Sequence, residues 1–322
     1  MTSIAESQDI YMGFPFEAEP RYDLSDIEVT ELTKDLLKEH TDTLPKDMPF
    51  TCVRIKGTSP YANLARNIEG KIFTEELHDD PQRMAADFEP YEDASYFFLV
   101  IDTEKSLPTG TLRIIEDGPN GFMTINELLN HVNPGETAPQ RFFNHAVFYP
   151  SFNNKAKDYG DRGINITPGN TWEVGTIAVL PEYRRGINAS QEQTMISYIV
   201  SGLLYRSLYA GAVNNGIEGF LSIIDPAALA TLRGLGIPFD DIPGTSLMKF
   251  DDGSEFQPCY AVVQDFDFRM RSFAQHNIDI AETEKDRQRA IAKQAMIDVL
   301  LTGNALDDMM AYRYNYKPNS VI

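Results

Sequence analysis

Apolar and polar positions along the chain change period often enough to predict a mixed α/β protein. Leu32, Leu36 and Leu37 recur at helical spacing between Asp26 and His40, which predicts a helix there. Thr51 to Ile55 alternates as a strand, Ser59 to Leu77 reads as helix interrupted by turns, and Tyr96 to Ile101 is an unbroken apolar run of the kind a buried strand shows. Thr109 to Ile115 reads as its hairpin partner across the turn-rich link Asp102 to Pro108. A short helix from Ile125 to His131 lies in a segment, 116 to 170, that is otherwise rich in Gly, Pro and Asn. So long an irregular connection is more often a functional loop or lid than packing.

The second half repeats the strand and helix alternation. Thr171 to Leu180 is a strand rich in β-branched residues that stops at Pro181. Ser190 and Gln193 form a capping box before a helix whose buried stripe is Met195, Ile196, Ile199, Val200, Leu203, Leu204 and Leu208. Ile217 to Ile224 predicts the next strand, Asp225-Pro226 starts a helix ending near Gly234 to Gly236, and Gln257 to Phe266 supplies a late strand. From Arg269 the chain reads as helical, with a stripe of Ala290, Ile291, Ala295, Met296, Val299 and Leu300 and a stop signal at Gly303. The simplest organisation is an N-terminal extension (1–48), one domain (49–266) and a C-terminal helical extension (267–322).

The turn after Pro181 is where chemistry first enters. A helix N-terminus leaves four backbone N–H groups without partners and carries about half a positive charge, so a basic turn ahead of it is suited to a phosphate. Arg184 and Arg185 add formal charge there, against the plainer reading of a solvated basic turn. Pro181, Glu182, Tyr183 and Arg184 resemble the acyl-CoA-binding core of the GNAT acyltransferases, in which a strand, Pro-Glu-Tyr-Arg, a glycine-rich turn and a helix follow one another. The family turn reads Arg-x-x-Gly-x-Gly/Ala. Here the aligned residues are Arg184, Ile187 and Ala189, with the glycine at Gly186, so the turn is shifted by one residue or holds a pyrophosphate less closely.

Other segments sharpen the resemblance. Arg66, Phe73, Tyr96 to Ile101, Thr109-Gly-Thr-Leu-Arg113, Trp172-Glu173 and Arg233-Gly-Leu-Gly-Ile237 occur in an order similar to the GNAT branch of acyl-homoserine-lactone synthases and long-chain N-acyl amino acid synthases. This covers about residues 52 to 265. The resemblance implies a GNAT fold of the α/β (α+β) class, with a mixed, mostly antiparallel central sheet flanked by helices. It also implies an N-acyltransferase that uses acyl-CoA, with coenzyme A leaving, or an acyl carrier protein, and a small amino-acid-like amine as acceptor. An acyl-homoserine-lactone synthase and a non-catalytic acyl-CoA-binding sensor or scaffold are the alternatives. The lactone-synthase strand usually reads Trp-Glu-x-Ser-Arg, whereas Gly175 and Thr176 stand here. The loss of a charged fork of donors argues against the S-adenosylmethionine acceptor of those enzymes.

Acyl transfer to an amine needs a base for the acceptor and donors for the developing oxyanion. The resemblance places Glu173 as that base, against the alternative of a carboxylate in a wet or ion-paired strand position. It gives the coenzyme the strand backbone of Ile177, Ala178 and Val179 and the turn Arg184, Arg185, Gly186, Ile187, Asn188, Ala189 and Ser190, where Asn188 and Ser190 also compete as helix caps. Arg66, Arg113 and Trp172 are the candidate substrate-binding residues. Their plainer readings are a solvated helix arginine, a strand-end surface arginine and a core aromatic. Many family members place a tyrosine acid in the helix after the fifth strand, but Asp225 to Arg233 contains none.

Composition then limits the partners. Acidic residues number 48 against 28 basic, a formal charge of −20, which repels nucleic acid and supplies no basic stripe for a phosphate backbone. The same field opposes an acidic carrier protein except within about a Debye length, ~8 Å, of the arginine turn. The two cysteines are Cys52 and Cys259, and the five histidines lack metal-ligand spacing, so a reduced cytoplasm and no metal are expected. The sequence begins with no apolar leader and holds no run near the ~20 apolar residues of a membrane span, and it leaves oligomeric state open.

Overall fold

The computed structural model describes residues 19–39, 49–77, 80–132, 167–184, 190–242, 245, 247–249 and 255–284, with single positions from there to 301. Its strands are β1 (Phe50–Lys56), β2 (Ser95–Asp102), β3 (Leu107–Ile115), β4 (Thr171–Val179), β5 (Gly219–Ile224), β6 (Asp240–Asp241), β7 (Met248–Lys249) and β8 (Glu255–Val262). Its helices are α1 (Asp26–Glu39), α2 (Ala62–Leu77), α3 (Pro81–Phe88), α4 (Met123–Val132), α5 (Gln191–Asn214), α6 (Pro226–Gly234) and α7 (Asp265–Asp279). The strands are hydrogen-bonded in the order β1-β2-β3-β4-β5-β8-β6, with β7 also on β8. The β1/β2, β5/β8, β6/β8 and β7/β8 pairs are antiparallel and β4/β5 is parallel. This is the mixed, mostly antiparallel sheet flanked by helices that the sequence resemblance implies.

The chain divides into two units: 1–113 with 176–211 and 298–322, and 114–175 with 212–297. In the first, β1 and β2 pair from Phe50↔Asp102 to Lys56↔Tyr96. Val53 and Ile55 of β1 and Phe97, Leu99 and Ile101 of β2 pack with Leu64, Ala65, Ile68 and Ile72 of α2 and Val29 and Leu36 of α1. Burial of these side chains at helical and alternate-strand spacing is the main force that joins the elements. On β3, Gly110 leaves room for α5. A Cβ there would lie 3.0 Å from Val200, 3.2 Å from Leu204 and 3.2 Å from Val179.

The helix read as interrupted between Ser59 and Leu77 is one continuous helix from Ala62. Pro108 belongs to β3, so the hairpin link is shorter than expected. α3 was not anticipated, although its signals are present. Asp80 caps it by accepting from Gln82 N at 2.9 Å, and Pro81 occupies the first helical position.

In the second unit, β5 pairs with β8 from Gly219↔Val262 to Ile224↔Gln257, and Phe220 meets Phe266 edge-on with ring centroids 5.5 Å apart. Asp225 caps α6 by accepting from Ala227 N and Ala228 N at 2.8 and 3.0 Å. Phe266, read as strand, lies in α7, and the two-residue strands β6 and β7 are too short for any periodicity to reveal. Near the C-terminus, positions 290, 291, 294, 297 and 301 are helical. Ala290, Ile297 and Leu301 are buried while Ile291 is exposed, so the stripe is rotated from the one the sequence suggested.

Candidate functional site

Strand β4 carries the candidate base. Trp172 and Glu173 are both buried, at 1 % and 2 % exposure. Across the parallel ladder Glu173 lies opposite Leu221. The ladder covers only Thr171 to Glu173 against Gly219 to Leu221, although both strands run on. At the next step the Ser222 hydroxyl donates to Val174 O at 2.8 Å. The paired register therefore ends at Glu173.

The Glu173 carboxylate is held from one side. Its Oε1 accepts from Thr124 N at 2.8 Å and from Thr124 Oγ1 at 2.6 Å. Its Oε2 is buried, and among the described residues no hydrogen-bond partner reaches it. Burial pushes the Glu173 carboxyl up to about 7, against the opposing pull of the Thr124 hydroxyl and the Thr124 and Met123 amides; the nearby Glu127 charge adds to the rise. A carboxyl balanced near neutrality can accept and release a proton, which an ordinary surface carboxylate does poorly at that pH.

In the other unit, Arg66 and Arg113 are both fully buried, so neither plainer surface reading holds. Arg113 Nε donates to Glu69 Oε1 at 3.2 Å, Nη2 to Glu69 Oε2 and to Tyr22 Oη at 2.7 Å each, and Nη1 to Glu92 Oε1 at 3.1 Å. Arg66 Nε and Nη2 donate to Glu92, while Nη1 reaches Asn63 Oδ1 at 2.6 Å and Nη2 reaches Gly57 O at 2.7 Å. The Arg113 guanidinium also lies 3.9 Å from the Phe88 ring centroid. Two cations face two carboxylates, and most of their donors are used internally. Burial alone would raise the Glu92 carboxyl, but Arg113 and Arg66 outweigh it and hold it below its ordinary value.

Thr176, which stands where the lactone-synthase pattern has a charged residue, donates its hydroxyl to Glu69 Oε1. Further along β4, Ala178 and Val179 are buried and Ile177 is exposed at 37 %. Leu180 N donates to Thr109 O at 2.9 Å, which ties the end of the strand to β3.

The turn after β4 is anchored by its tyrosine. Tyr183 is buried, and its hydroxyl donates to Asp102 Oδ2 at 3.0 Å and accepts from Lys105 Nζ at 3.1 Å. Arg184 ends this short 3-10 turn with its side chain half-buried. At the far side, Ser190 and Gln193 form the expected capping box, with bonds of 3.0 and 3.1 Å. Arg185, Gly186, Ile187, Asn188 and Ala189 lie outside the described residues. No group of three or more His, Cys, Asp or Glu among the described residues could hold a metal ion.

Sequence reasoning missed Thr124, Glu69, Glu92 and Tyr22. Glu69 and Glu92 had no visible partner until the fold brought them to the arginines, and Thr124 lies far from Glu173 in sequence.

No family profile matches the chain, and no curated protein matches it by sequence. Among solved structures it is similar to FeeM, an N-acyl amino acid synthase from uncultured soil microbes, at 14 % identity over 72 % of this chain and 100 % of that one, with a TM-score of 0.44. It is also similar to BjaI, a CoA-dependent acyl-homoserine lactone synthase, at 14 % identity over 69 % and 87 % of the two chains and a TM-score of 0.38. A putative N-acetyltransferase from Lactobacillus plantarum matches at 11 % identity over 67 % and 99 %, with a TM-score of 0.37. These neighbours include both kinds of synthase named by the sequence resemblance.

Proposed function

We propose that the chain is an N-acyltransferase that moves an acyl group from acyl-CoA, or from an acyl carrier protein, to the amine of a small amino-acid-like metabolite. The observation that carries this reading is Glu173: a buried carboxylate on the strand that leads to Pro181-Glu-Tyr-Arg184, with one oxygen that has no partner among the described residues and an affinity for protons near neutrality. In the reaction, Glu173 takes one proton from the acceptor ammonium, and the freed lone pair attacks the thioester carbonyl carbon. The C–N bond forms, the C–S bond breaks with its electron pair on sulfur, and the remaining excess proton on nitrogen ends on the thiolate, directly or through solvent. Arg184 and the turn that follows it hold the coenzyme phosphates, and backbone freed where β4 leaves its ladder takes the pantetheine arm as an added strand would be taken.

In this reading residues 49–266 form the acyltransferase segment. Arg66 and Arg113 frame it, because their donors are already committed to Glu69 and Glu92. The setting is the cytoplasm, which agrees with a described chain in which no helix is long and apolar enough to cross a membrane.

The test is turnover of purified full-length protein with acyl-CoA of several chain lengths and a panel of amino acids, with S-adenosylmethionine included as an acceptor. Thiol release and a new N-acyl product by mass support the reading, and Glu173→Gln should lower kcat by about 10² to 10⁴. Acyl-CoA binding without turnover on any amine would make the chain a sensor or scaffold instead.

A further inference from the structure

We infer that Thr124 is a positioning residue for Glu173, committing Oε1 to two hydrogen bonds so that Oε2 is the oxygen that exchanges the proton. This rests on the proposed role of Glu173 as base. Thr124 is fully buried at the start of α4, where backbone N–H groups have no partner within the helix. The carboxylate of a distant strand supplies that partner, and the positive end of the helix favours its charge.

Both Thr124 donors converge on the same oxygen. That convergence separates the two oxygens chemically. With its two lone-pair directions taken by the Thr124 amide and hydroxyl, Oε1 is poorly placed to receive a proton. Oε2 is buried with no partner among the described residues, an arrangement native folds seldom leave without a reason. When Glu173 is protonated, the proton therefore resides on Oε2 and the carbonyl on Oε1.

Among the described residues, few charges act on the group. Glu127, also on α4, acts on it, and the facing residue across the ladder is the apolar Leu221. The Thr124 hydroxyl is thus the main local group that lowers the Glu173 proton affinity, and its removal should raise that affinity. A threonine that only anchors α4 would not do so selectively.

The experiment measures kcat/KM against pH for full-length parent, Thr124→Val and Thr124→Ser, with an acyl-CoA and an accepted amine. Loss of the hydroxyl should move the acidic limb up by about one pH unit, a tenfold loss of rate below it, while KM for acyl-CoA stays unchanged. Thr124→Ser should restore the parental limb. An acidic limb unmoved in a folded Thr124→Val protein overturns the inference. A Glu173→Gln variant that keeps the parental rate overturns the underlying reading instead, so the two failures are distinct. Infrared difference spectroscopy of the parent needs no Thr124 variant: the protonated carboxyl band, assigned by its loss in Glu173→Gln, should be displaced downward by two donors to its carbonyl. A band at the position of an unbonded carbonyl overturns the inference.

Discussion

Replacing Glu173 with Gln should flatten the pH dependence of stability, because this carboxyl resists ionisation in the folded chain. Its proton affinity rises from an ordinary 4.5 to about 7 on folding, chiefly through burial. Between those values the folded state holds a proton that the unfolded chain has released, so stability falls as pH rises through the window and is level above it. At about 1.4 kcal/mol per pH unit the loss amounts to roughly 3 kcal/mol. Gln has no ionisation, so it removes the slope. It also buries an amide beside Thr124, which displaces the whole curve without tilting it. Urea unfolding of parent and variant at several points from about pH 4.5 to about pH 8 gives the difference curve, in which contributions from all other groups cancel. The parent should lose about 3 kcal/mol relative to the variant across that range. A difference that stays constant would show that Glu173 ionises as it does in water, and the case for a neutral-range base would fall with it.

Arg113→Met should destabilise the protein by about 3 to 5 kcal/mol in urea unfolding, because it leaves Glu69 and part of Glu92 buried without their cation; a loss under about 1 kcal/mol would mean that the cluster is open to solvent. Gly110→Ala should cost about 1 to 3 kcal/mol by the same assay, since its Cβ presses on Val200, Leu204 and Val179. A neutral result would show that α5 can shift away from β3.

Elements with one clean period were legible. α1 shows leucines at helical spacing, β2 an unbroken apolar run and β4 a run of β-branched residues, and in each the local pattern was enough to name the element. α2 was legible only in part, for a physical reason. Its polar residues Asn63, Arg66, Asn67 and Glu69 break the apolar repeat, yet all four are buried in the folded chain. A polar residue turned inward looks the same in sequence as one turned outward. Only the partner decides, and here the partners are Arg113, Glu92, Gly57, Glu19 and Arg21, all contributed from outside the helix.

The site divides along the same line. Glu173 and the turn Pro181 to Arg184 were found because they sit in one continuous segment whose pattern resembles a family, whereas the residues that act on them come from elsewhere. Thr124 sets the Glu173 carboxyl, Asp102 and Lys105 hold Tyr183, and Glu69 receives Thr176. The two arginines show what resemblance alone leaves open at such positions. A family pattern says that a residue type recurs at a place, and it is silent on whether the side chain faces a ligand or a carboxylate of its own chain. For Arg66 and Arg113 the geometry selects the carboxylates. In the unit that holds β4 up to Gly175, Glu173 Oε2 is a buried oxygen that nothing described satisfies, which is why the proposed chemistry rests on that carboxylate.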